Sequence, residues 1–119
     1  MKKENLYIST IAADAVPVAR KYGLGLEIAE YCTAWNMDDR FAQTDAAVRS
    51  KLDGIPNRVF HAPFNELFPC AIDPKARELA AYRYRQAMAS EAAVRASTVQ
   101  VISMEKIRMA FRSRRMGLP

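Results

Sequence analysis

His61 is the only histidine in the chain, and it closes the run Arg58-Val59-Phe60-His61 just ahead of Ala62-Pro63-Phe64-Asn65-Glu66. The run is β-prone, and Pro63 stops a strand there. A strand that ends in an imidazole and then a loop presents chemistry where ligands collect in α/β proteins, beyond the carboxyl ends of parallel strands. A neutral imidazole binds divalent metals well, but a metal site takes three or four ligands. The plainer alternative is a strand-end histidine bonded to backbone. Glu27 is the second candidate, because it lies inside the apolar stretch Leu24-Gly25-Leu26-Glu27-Ile28-Ala29. A carboxylate there is costly unless paired. His61, a substrate or Arg58 could pair with it; the alternatives are solvent or a structural ion pair. Glu30 reads as surface. Asn65 and Glu66 read as a loop beside His61. Tyr31 and Trp35 read as residues of the loop after the second strand, packing on a ligand or covering core.

Alternating elements must position these residues. Leu6 to Thr10 is a short β-prone run. Ala12, Ala15, Val16, Ala19 and Tyr22 recur at helical spacing, with Pro17 near the start and Gly23 as a C-cap. Leu24 to Ala29 suits a strand buried on both faces. Residues 30–36 read as loop, and Asp38 or Asp39 as the cap of a helix carrying Phe41, Asp45, Val48 and Leu52, ended by Gly54 and Pro56. Arg58 to His61 is the third strand, followed by a long loop. Asp73-Pro74 is an N-cap with proline at N1, opening a helix to about Arg95. The order β-α-β-α-β-α predicts a parallel sheet with right-handed crossovers. Thr98 to Ile102 reads as a possible fourth strand, and Met104 to about Arg114 as a possible last helix.

The chain has 119 residues, half of them hydrophobic and 26% charged, the balance of one soluble domain. No apolar run approaches the ~18 residues of a membrane span. The expectation is a cytoplasmic protein with no membrane partner. Cys32 and Cys70 suit neither a disulfide framework nor a metal knuckle. The net charge of +5 sits mostly in the tail: from Ala96 onward there are five basic residues and one acidic. Arg108, Arg112 and Arg115 share one helical face, yet a solvated face is the usual meaning of such a run, so nucleic acid is not an expected partner.

Three features carry a family resemblance: a first helix ending Ala19-Arg20-Lys21-Tyr22-Gly23, a second strand reading Gly25-Leu26-Glu27-Ile28, and a third ending His61-Ala62-Pro63-Phe64. On these the chain resembles the N-terminal part of a xylose-isomerase-like TIM barrel, the superfamily of sugar phosphate isomerases/epimerases and endonuclease-IV-type nucleases. The resemblance implies an α/β fold of parallel βα repeats like the first half of a TIM (β/α)8 barrel, with three βα units in residues 1–96 and an atypical basic tail in 97–119. It implies metal-assisted proton transfer next to a carbonyl of a sugar or sugar phosphate. His61 then takes the metal or substrate contact, Glu27 is the catalytic carboxylate of this stretch in a secondary role, and Asn65, Glu66 and Trp35 line the substrate cleft.

The departures matter as much. A full barrel needs eight βα units and roughly 250 residues, and a second histidine is absent. The expectation is therefore a truncated or frame-shifted isomerase that is inactive alone and holds the family's divalent metal ion weakly at best. One alternative is an abasic-site endonuclease-like metal-dependent phosphodiesterase. The other is a non-catalytic half-barrel that self-associates through open sheet edges.

Overall fold

The computed structural model describes residues 2–100. It is an α/β structure with one parallel sheet of four strands in the order β1-β2-β3-β4. The strands are β1 (Tyr7–Ser9), β2 (Gly25–Ile28), β3 (Arg58–His61) and β4 (Thr98–Gln100). The helices are α1 (Ala15–Tyr22), α2 (Ala34–Asp38), α3 (Phe41–Leu52), α4 (Pro74–Met88) and α5 (Glu91–Val94). Short 3-10 turns cover Lys3–Asn5 and Glu30–Cys32. The expected alternation and parallel pairing are present. The proposed helix after Ser103 and the arginine face at 108, 112 and 115 lie outside the described residues.

Each strand pairs with the next in sequence. With right-handed crossovers, that order puts the crossover helices on one face of the sheet. The register assigns the faces. Ile8, Leu26 and Arg58 form one row, and Ile28, Phe60 and Val99 another. Leu26, Ile28 and Phe60 are fully buried, and they form the core with Ala15, Ala19, Tyr31, Val48, Leu52 and Ala87. Side chains alternate along a strand, so Ser9, Glu27 and Val59 share the opposite face, and all three are only partly buried.

Local chemistry explains most boundaries. Pro17 falls in the first turn of α1, where its missing N–H costs nothing. Gly23 ends α1 at φ 66°, the left-handed conformation that glycine adopts freely. Gly25 has a different reason: a Cβ there would lie 2.5 Å from the Tyr7 ring and 2.9 Å from the Asn57 carbonyl oxygen. Asp73 accepts from the Lys75 N–H at 2.9 Å and caps α4, as the Asp-Pro pair predicts.

Three expectations fail. Neither Asp38 nor Asp39 caps α3, whose N-cap position is Arg40; Asp38 instead accepts from Arg83 of α4 at 2.7 Å and from Gln86 at 2.9 Å. The stretch after β2 is a 3-10 turn and a short helix rather than loop. The long last helix breaks after Met88, because the Ser90 hydroxyl donates to the Ala87 carbonyl and accepts from the Ala93 N–H, ending α4 and capping α5. No helix among the described residues is long and apolar enough to cross a membrane.

Candidate functional site at the carboxyl ends of the strands

His61 is the last residue of β3 and only 8% exposed. Its Nδ1 lies 2.8 Å from the Ala62 carbonyl oxygen. A carbonyl only accepts, so Nδ1 carries the proton and Nε2 holds the lone pair. That backbone bond fixes both the tautomer and the ring, the arrangement that leaves Nε2 able to ligate or accept. Phe64 packs against the ring at a tilt of 49°, with centroids 4.9 Å apart.

Cys32 reaches the same place from the turn after β2. Its Sγ lies 3.3 Å from His61 Nδ1, and the thiol contacts the carbonyl oxygens of His61 at 3.5 Å and Ala62 at 3.6 Å. A cysteine beside a histidine suggests a nucleophilic pair. The electrostatics oppose that: burial, then the charges of Glu27 and Glu30, push the Cys32 thiol up to about 12. At neutral pH it is an S–H that donates to backbone rather than a thiolate.

Glu27 occupies the same sheet face as His61. It pairs in register with Val59, two residues before His61 on the adjacent strand. The Arg58 partner considered from sequence is excluded. Arg58 alternates to the helix face and donates to the Ile55 carbonyl at 2.7 Å and the Leu52 carbonyl at 2.8 Å. Glu27 instead acts on Cys32 through its charge.

Sequence reasoning placed Glu30 on the surface, and that is corrected. Its side chain is 12% exposed and pairs with Lys51 at 2.8 Å. The Thr10 hydroxyl donates to Glu30 Oε2, and the Ala29 N–H donates to both Thr10 Oγ1 and Glu30 Oε2 at 3.2 and 3.3 Å. Lys51 also donates to the Thr10 carbonyl at 2.7 Å. This network joins the ends of β1 and β2 to α3. Only Thr10 and Lys51, 41 residues apart, make it visible, and sequence spacing carries no signal for that.

Tyr31 is core rather than cover. It is fully buried, with Phe60 at 5.5 Å between centroids, and its hydroxyl donates to Asp45 at 2.7 Å. Burial and the Asp45 carboxylate raise its pKa. Trp35 is 60% exposed in α2, with the Arg40 guanidinium 5.1 Å from its ring. Asn65 and Glu66 are exposed in the loop after β3, and Glu66 has φ 61°, a left-handed backbone. The structure thus brings together His61, Cys32 and the Glu27 charge. Among the described residues, Trp35 lies exposed in α2 and Asn65 and Glu66 lie exposed in the loop after β3, outside this contact.

Among the described residues no three His, Cys, Asp or Glu side chains converge to hold an ion. His61 Nε2 and Glu27 alone do not complete a divalent site, which takes three or four ligands. The described residues do not fit the metal that the family resemblance implies. No protein-family model, curated protein or solved structure matches the chain.

Proposed function

We propose that the chain is a sugar phosphate isomerase/epimerase-like protein built as the opening βα units of a TIM barrel, and that alone it does not turn over substrate. The observation that supports this is the His61 corner: an imidazole at the carboxyl end of β3 with Nδ1 tied to the Ala62 carbonyl, and Glu27 on the same face of the neighbouring strand. In this reading Nε2 accepts from a substrate hydroxyl, and Glu27 orients a second one. The other polar groups nearby have structural roles. Glu30 is paired with Lys51, and Cys32 is a protonated thiol. Proton transfer next to a carbonyl needs a positioned general base with a matched pKa, and neither of these is available for that step. Incubating the purified chain with keto-sugars and epimerisable sugar phosphates, with divalent metals added, is expected to give no turnover above background. Turnover that disappears in His61→Ala overturns the proposal.

A second, non-catalytic reading rests on a different observation. Among the described residues β1 and β4 are the edge strands, and Ser9, Glu27 and Val59 on the face opposite the helices are only partly buried. A sheet with a partly exposed face and edge strands of this kind gains by pairing with a second copy. The abasic-site nuclease alternative calls for several metal-binding histidines, and His61 is the only one in the sequence.

A further inference from the structure

Glu27 stands in register between Ser9 of β1 and Val59 of β3, on the sheet face opposite the helices, and it is only partly buried. Among the described residues its carboxylate has neither a hydrogen bond nor an ion pair. Lys51, the cation at the ends of β1 and β2, is engaged by Glu30 at 2.8 Å and by the Thr10 carbonyl at 2.7 Å. His61 lies two residues beyond Val59 on the same face, and its Nε2 keeps a lone pair because Nδ1 donates to the Ala62 carbonyl. We infer that the His61–Glu27 corner binds the primary ammonium group of a compact hydroxylated amine.

The corner is rich in acceptors. An ionised carboxylate only accepts, Nε2 accepts, and Cys32 keeps its S–H on the His61 and Ala62 carbonyls. The Ser9 hydroxyl, opposite Glu27 in register, can donate or accept. A partly buried carboxylate without a partner is costly. A ligand that brings positive charge and N–H donors removes that cost. An ammonium group brings three donors and a charge-assisted bond to Glu27, and a neighbouring hydroxyl donates to Nε2. A phosphate or carboxylate offers no such donors and meets the Glu27 charge as a repulsion. Glu30 does not compete for the ligand, because Lys51 already neutralises it. Adjacent strands lie about 4.8 Å apart and two residues rise about 6.6 Å, which sets the Glu27 and His61 Cα atoms about 8 Å apart. One compact ligand reaches both side chains across that distance. The inference rests on the reading of His61 and Glu27 as ligand contacts and narrows it: the group held at this corner is an amine, not a phosphate.

The chain has a single histidine, so its ring nitrogen NMR signals report this corner alone. The full chain is titrated at neutral pH and constant ionic strength with three linear polyols that differ in one group: glucamine, sorbitol and sorbitol phosphate. Glucamine is expected to shift the ring signals saturably and to bind about tenfold more tightly than sorbitol, the scale of one charge-assisted contact, with sorbitol phosphate weakest. Glu27→Gln keeps the shape and removes the charge. It should bring glucamine and sorbitol to within about twofold of each other, with the ring signals still responding. The ranking in the unaltered chain is a test by itself should that variant misfold. Sorbitol binding as tightly as glucamine overturns the inference and leaves His61 as a hydroxyl contact. Sorbitol phosphate binding tightest overturns it in favour of an anionic ligand. A glucamine preference that survives Glu27→Gln also overturns it, since the amine then sits elsewhere. Ring signals that no polyol moves overturn both the inference and the reading of His61 beneath it.

Discussion

The environment of Cys32 changes the chemistry of its thiol. Buried beside Glu27 and Glu30, its thiol titrates near 12 instead of 9. The folded state therefore holds the proton more tightly than the unfolded chain does. The stability gained is complete below about pH 9 and is lost as pH rises toward 12. Tyr31 is raised in the same direction and adds to the alkaline loss. Denaturant melts across pH 8 to 11 should show falling stability, and Cys32→Ser should flatten the slope. The same protonation makes the thiol a poor nucleophile. With iodoacetamide at pH 8, Cys32 should react roughly 10²–10³ times more slowly than glutathione, in proportion to its thiolate fraction. Labelling at the glutathione rate would show an activated cysteine and remove the structural role given to it here.

Ser90 shows how one hydroxyl sets an element boundary. It accepts from the Ala93 N–H while donating to the Ala87 carbonyl, so α4 and α5 meet as two helices instead of one. Ser90→Ala should cost about 1 kcal/mol, the usual size of a lost N-cap. Amide exchange should accelerate at Ala93, and an unchanged rate there would mean that the break has another cause. The alanine-rich sequence from Pro74 to Arg95 reads as a continuous helix because propensity is high throughout, and only the side-chain bonds of Ser90 reveal the break. Local signals did predict the strand Arg58–His61, the Gly23 cap and the Asp73-Pro74 start, since each depends on adjacent residues. The site was legible to the same extent. His61 and Glu27 stand out by type and position on strands. Cys32 beside His61, Lys51 on Glu30, and Asp38 on Arg83 depend on contacts 21 to 45 residues apart. A single sequence does not encode those in its spacing.

At the scale of the whole molecule, the sheet has one face packed by helices and another where Ser9, Glu27 and Val59 are partly exposed. Ile11, Trp35 and Ile72 add exposed apolar surface at 70%, 60% and 97%. Sedimentation velocity over a concentration series should show a dimer or larger species; a monomer that persists at high concentration would count against the half-barrel reading. The strand order has a further consequence, for assembly during synthesis. Among the described residues every strand bonds only to its neighbours in sequence, so each described βα unit can join an edge that already exists when it leaves the ribosome. None of these four strands has to insert between strands already paired. Growth of this kind keeps each loop closure short, and it makes β1 and β2, locked by Thr10, Glu30 and later Lys51, the template on which the rest is laid.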